Sequence, residues 1–90
     1  MALVGLLSSM TVSVSFYSYF KDLTGAAQTS ESLPAGSTLG LLYDRLAARF
    51  PKLAAMRKST LLAVGVEYQS RDYVLRDGDT VSLFPPVQGG

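Results

Sequence analysis

The chain has no cysteine and no histidine. Without thiols there is no disulfide, no thiolate zinc site and no cysteine nucleophile. Without imidazole, the commonest general acid–base chemistry and the Ser–His–Asp triad are excluded. A Ser–Lys pair or paired carboxylates stay open in principle, but nothing in the spacing suggests either. Charge is scarce too: 17% of the 90 residues are charged, with a formal sum of +1. That balance makes no case for a strongly basic nucleic-acid binder. No apolar run approaches the roughly 20 residues needed to span a bilayer. The opening MALVGLLSSM is apolar but has no Lys or Arg ahead of its short run, unlike a signal peptide. Residues 1–10 are therefore expected to be a loosely ordered N-terminal extension.

What is present is enough hydrophobicity to fold. Residues of the hydrophobic class make up 48%, and a chain of this length has room for one domain with a modest core. From Thr11 the pattern alternates, with Val12, Val14 and Phe16 on one side and Thr11, Ser13, Ser15 and Tyr17 on the other, as in a half-buried strand. KDLTG (Lys21–Gly25) predicts a single helical turn stopped by Gly25. Gln28–Leu33 alternates weakly and reads as a short second strand, followed by a Pro34–Gly36 turn. Thr38 stands where a helix N-cap belongs. Leu39, Leu42, Leu46 and Phe50 then recur at helical spacing, with Tyr43 at the flank. Pro51 ends that helix, and Lys52–Lys58 forms a second, shorter helical piece.

Thr60–Tyr68 returns to strand character, with Leu62, Val64 and Val66 on one face and a bend or hairpin turn at Gly65. Arg76–Asp79 reads RDGD, a strong turn signal. Thr80–Phe84 is the last strand, with Val81 and Leu83 facing inward. Strand, strand, helix, then strands predicts an α+β domain in two layers. If the first and last strands pair in parallel at the centre, the arrangement is a β-grasp (ubiquitin-like) roll, a mixed sheet packed on one main helix. It would occupy residues 11–84, and residues 85–90 would be a flexible, extended tail.

That tail, Pro85 to Gly90, reads PPVQGG. Two prolines cannot continue a strand ladder, and they hold the exit stiff. Six residues in a polyproline conformation would reach roughly 19 Å. Gly89 and Gly90 carry no side chains and could enter a channel too narrow for a Cβ. A terminal carboxylate is ionised at neutral pH and is a poor acyl donor. It can attack the α-phosphate of ATP when a partner enzyme holds both, giving an acyl-adenylate. The plain alternative is a flexible end or a cloning remnant; the stiff, short approach from the last strand argues against it.

LRDGDTVSLFPPVQGG (Leu75–Gly90) resembles the C-terminal signature of the small subunit of molybdopterin synthase, the MoaD family. VSVSFYSYFKDLTG (Val12–Gly25) is similar to that family's first strand and helical turn, with Lys21 and Asp22 in place of an Arg-Glu pair. STLGLLYDRLAARFP (Ser37–Pro51) fits its helix. Ala63-Val64-Gly65 departs from the family's Ala-Val-Asn. The resemblance implies a non-catalytic sulfur carrier of the cytoplasm that binds no cofactor and no metal itself. Gly90 would be adenylated by a ubiquitin-activating-like adenylyltransferase using ATP and Mg, then converted by a sulfurtransferase to a thiocarboxylate. The tail, Gly89 and Gly90 at its tip, would enter the synthase large subunit and give its sulfur to a pterin precursor in molybdenum cofactor biosynthesis. Alternatives are a carrier for thiamine or another sulfur-transfer pathway, and a ubiquitin-like modifier that joins Gly90 to lysines.

Partner contacts are expected on the sheet face that the helix leaves free. Tyr17 and Phe84 point there by strand parity, Tyr68 joins them if the Gly65 turn allows, and Pro85, Pro86 and Val87 lead onward into the tail. Arg45, Arg49, Lys52, Arg57 and Lys58 either steer an acidic partner or form a solvated helix face. Asp72, Asp77 and Asp79 read as turn formers and not as a metal site. Neither nucleic acid nor membrane is an expected partner.

Overall fold

The computed structural model describes residues 9–86. Strand β1 (Ser9–Phe16) leads to a short helix α1 (Phe20–Thr24), strand β2 (Gln28–Pro34), the main helix α2 (Leu39–Arg49) and a 3-10 helix (Pro51–Met56). Strands β3 (Leu61–Val64), β4 (Glu67–Tyr68) and β5 (Thr80–Phe84) complete the domain. The sheet order is β2-β1-β5-β3-β4. β1 and β5 are parallel neighbours inside the sheet, with Val14 beside Val81 and Phe16 beside Leu83. The other pairings are antiparallel. This is the α+β, β-grasp arrangement expected from the element order.

The alternation of β1 decides which side faces the helix. Met10, Val12, Val14 and Phe16 are buried, while Thr11 and Ser13 stay exposed. Met10 corrects the expected boundary at residue 10: the strand begins at Ser9, opposite Pro34, and Met10 is a core side chain only 4% exposed. It keeps the parity of Val12 and Val14, so pairing with β2 carries it inward. Residues 1–8 of the expected extension and residues 87–90 of the tail lie outside the described residues.

Helix α2 covers the inner face with Leu39, Leu42, Tyr43 and Leu46, all without measurable exposure. Burying each such side chain contributes about 1.5–3 kcal/mol relative to leaving it in water. Tyr43 sits deeper than its expected flanking place. Its hydroxyl donates to the Leu53 carbonyl at 2.7 Å and lies 2.9 Å from Thr60 Oγ1, so the phenol is satisfied inside the core. Burial pushes its pKa up, against smaller opposing effects from the Thr60 hydrogen bond and the Arg71 and Arg57 charges. The helix starts as the Thr38 expectation has it, with Thr38 Oγ1 accepting from the Leu41 N–H at 3.2 Å. Its next free N–H groups, on Leu39 and Gly40, donate to the carbonyls of Tyr73 and Arg71, so the loop before β5 closes over the helix start.

Gly25 ends α1 at φ 74°, and Gly65 makes the β3–β4 turn at φ 61°, both in the left-handed region that glycine enters freely. The turn at Gly65 corrects the placing of Val66 with Leu62. Val66 lies on the tip and is 99% exposed, because the reversal ends the parity that began at Leu62. In the RDGD turn, Asp79 accepts from the Arg76 N–H and Asp77 accepts from the Thr11 N–H. Asp79 thus closes the turn, while Asp77 ties it to the start of β1; no cluster of metal-binding side chains occurs among the described residues.

Candidate partner-docking site

The outer face of the sheet carries the residues of opposite parity to the core. β1 supplies Thr11, Ser13 and Ser15, β2 supplies Gln28, Ser30 and Ser32, and β5 supplies Thr80 and Ser82. At one end this hydroxyl-rich surface gives way to aromatic rings. β5 finishes at Phe84, whose last ladder partner is Leu61, and Pro85 then removes the N–H that a further rung would need. Beside it β1 runs out at Tyr17, whose N–H donates to the Leu83 carbonyl at 3.2 Å.

Parallel pairing brings two side chains together that are far apart in the chain. Tyr17 and Phe84 stack with ring centroids 4.7 Å apart and planes 12° from parallel. Tyr68, carried on β4 opposite Ala63, meets Phe84 edge-on at 6.2 Å and 72°. Tyr17 and Tyr68 are 44% and 67% exposed, and Phe84, Pro85 and Pro86 are half-buried. A shallow groove of about 260 Å³, lined by Tyr17, Lys21 and Gln28 among others, runs alongside. Directly after Tyr17, Ser18 holds φ 57°, an uncommon conformation for a residue with a Cβ. It swings the chain from the strand into α1, where Phe20 turns into the core and Tyr17 stays out.

Tyr17, Tyr68, Phe84, Pro85 and Pro86 thus share one end of the sheet, and Val87, Gly89 and Gly90 lie outside the described residues. Strand parity alone indicates the outward side for Tyr17 and Phe84; their mutual stacking depends on the β1–β5 register, which no local pattern shows. The basic segment is mostly committed within the domain. Arg49 pairs with Glu31, Arg57 pairs with Asp44 and Arg45 donates to the Ser32 carbonyl.

A central parallel pair of first and last strands, one crossing helix, and a proline-led exit beside an aromatic cluster define a ubiquitin-like β-grasp domain. The sequence model of the ThiS family matches residues 14–90. The chain is 30% identical over 83 residues to the molybdopterin synthase sulfur carrier subunit of Arabidopsis thaliana, covering 92% of this chain and 86% of that one. It is 35% identical over 83 residues to the protein of the same name from Escherichia coli K12, covering 88% and 99%. A solved structure from Pyrococcus furiosus, described as a candidate molybdopterin converting factor subunit 1, superposes with a TM-score of 0.78 at 28% identity over 87% and 99% of the two chains. A chain in the Helicobacter pylori complex of molybdopterin-converting factor subunits 1 and 2 superposes with a TM-score of 0.59 at 24% identity, over 90% and 100%. This chain belongs to the ThiS family. Its Gly65 occupies a left-handed position, a conformation that Asn tolerates better than most residues, so the departure from Ala-Val-Asn leaves the turn intact.

Proposed function

We propose that this chain is the sulfur-carrier small subunit of a molybdopterin synthase. The observation that carries the reading is the exit of β5: the strand leaves the sheet at Pro85, beside three partly exposed aromatic rings, and a Gly-Gly sequence follows. Relatives of matching length bear that name. The Gly90 carboxylate attacks the α-phosphate of ATP on an adenylyltransferase, forming an acyl-adenylate and releasing pyrophosphate. The outer sulfur of a persulfide on a sulfurtransferase displaces AMP to give an acyl disulfide. A second thiol then attacks the donor's sulfur, releasing the Gly90 thiocarboxylate and leaving the donor and that thiol joined as a disulfide. The large subunit then admits the side-chain-free tip, Gly89 and Gly90, and the sulfur passes to a pterin precursor. ATP and Mg belong to the activating partner, and the work takes place in the cytoplasm.

Docking falls to Tyr17, Tyr68 and Phe84, continued by Pro85, Pro86 and Val87. Rings held by packing against one another are already ordered before a partner arrives, which lowers the entropic cost of binding. The test is intact-mass measurement after incubation with the activating enzyme, ATP and a sulfur donor. One oxygen-to-sulfur exchange mapped to Gly90, lost when an extra bulky residue follows Gly90, is the expected result. Reconstitution with the large subunit and precursor then separates this pathway from thiamine or another sulfur-transfer route. Covalent conjugates on lysines, with no thiocarboxylate, would replace the reading with a protein modifier.

A further inference from the structure

β2 is an edge strand of seven residues, and the opposite edge, β4, has only two. A free edge of that length is a template for another strand. The register shows which of its backbone groups are free. Phe16 N–H donates to the Ala27 carbonyl, and Val14 and Val12 sit opposite Thr29 and Glu31. Hydrogen-bonded pairs alternate with non-bonded ones in an antiparallel ladder, so Thr29 and Glu31 bond to β1 while Ser30 and Ser32 turn their N–H and C=O groups outward.

The outward carbonyls of Ser30 and Ser32 are taken by arginines from α2. Arg49 Nη1 donates to the Ser30 carbonyl at 3.0 Å and Arg45 Nη1 to the Ser32 carbonyl at 3.3 Å. Arg49 also donates to Thr29 Oγ1 at 2.7 Å and pairs with Glu31, which fixes the guanidinium against the edge. The strand itself, QTSESLP, has no Lys or Arg to discourage pairing, and its single proline is at the end. An arriving strand would have to displace both guanidiniums and leave Glu31 without its partner.

We propose that Arg45 and Arg49 guard the β2 edge, and that in their absence it accepts β2 of a second copy of this chain. The register is predictable. Centring an antiparallel pair on Glu31 sets two carboxylates side by side, which is unfavourable. Centring on Ser32 puts Ser30 opposite Pro34, which has no N–H to give. Centring on Ser30 pairs Gln28 with Ser32 of the other copy and sets Glu31 beside Thr29; unlike centring on Thr29, it uses all three outward residues, Gln28, Ser30 and Ser32, and is the register favoured. Monomeric behaviour would leave the outer face and tail free for partners in turn.

Sedimentation velocity over a concentration series tests this on the full chain. The wild type is expected to stay monomeric, and Arg45→Ala/Arg49→Ala to shift toward twice the monomer mass as concentration rises. Adding Ser30→Pro removes an outward N–H that β1 does not use, and should return the double variant to monomer. A triple variant that also carries Glu31→Gln removes the stranded carboxylate and decides the matter if the double variant unfolds. A folded variant that stays monomeric throughout, or a dimer that survives Ser30→Pro, overturns the proposal.

Discussion

Tyr17 and Phe84 lie 67 positions apart in the chain, yet their rings stack 4.7 Å apart at the mouth of the C-terminal tail. The contact exists because β1 and β5 run side by side in parallel and both end there. Each ring packs against the other, so the pair belongs to the fold, and in the proposed function it also serves as a surface for a partner.

Phe84→Ala should separate these two roles. A stacked aromatic pair contributes about 0.5–1.5 kcal/mol beyond area burial, so the variant should stay folded with a modestly lower melting temperature. A central interface anchor typically contributes about 2 kcal/mol or more to binding. Calorimetric titration against the large subunit should therefore show affinity falling by roughly 30-fold or more. Unchanged affinity and sulfur transfer in a folded protein would remove the cluster from the docking surface.

Tyr43→Phe should destabilise the domain without touching that surface. It leaves the Leu53 carbonyl without the donor it meets at 2.7 Å, a loss of about 1–3 kcal/mol at neutral pH. The pH dependence has a defined sign. The unfolded phenol ionises near a pKa of about 10, and burial raises the folded value above that. The stability that Tyr43 contributes is thus complete below pH ~10 and falls as pH climbs from there toward the folded pKa. Urea midpoints of the two proteins should differ most at neutral pH and converge in alkali.

Leu46→Ala empties part of the contact between α2 and the sheet, where Leu46 has no exposure. A cavity of this kind costs about 2–5 kcal/mol, a large fraction of what a domain this small has in reserve. Thr38→Ala removes only the cap on the Leu41 N–H, about 1 kcal/mol. Thermal melts should rank Leu46→Ala well below Thr38→Ala; equal shifts would mean that the core closes over the gap.

At the β3–β4 turn, the left-handed backbone of Gly65 should discriminate between substitutes. Asn enters this region more readily than other residues, and a β-branched side chain is an outlier there. Gly65→Asn should melt close to wild type, while Gly65→Val should lose roughly 1–2 kcal/mol. A Val variant as stable as the wild type would mean the turn has rearranged, which amide hydrogen exchange at Gln69 would reveal, since its N–H bonds the Leu62 carbonyl at 3.0 Å.

Local chemistry made much of this architecture readable in advance. The alternation of Val12, Val14 and Phe16, the cap at Thr38, the stop at Gly25 and the RDGD turn each depend on a few neighbouring residues, and each stands where expected. Val66 departs from the strand pattern because parity cannot be carried through a reversal, and Tyr43 lies deeper than the helical pattern implies because the buried partners for its phenol, the Leu53 carbonyl and Thr60 Oγ1, come from outside the helix. Met10 reads as part of the extension because the apolar opening hides where β1 begins to pair with β2, at Ser9 opposite Pro34.

By itself, then, the sequence determined the strand faces, the helix limits, the absence of thiol and imidazole chemistry and the proline-led glycine end, because these follow from side-chain type and spacing. Only the tertiary structure decided that Tyr17, Tyr68 and Phe84 form one cluster and that Arg45 and Arg49 reach the carbonyls of β2. Those contacts join residues distant in the chain, and their geometry is set by sheet register and helix placement, which no short stretch of sequence contains.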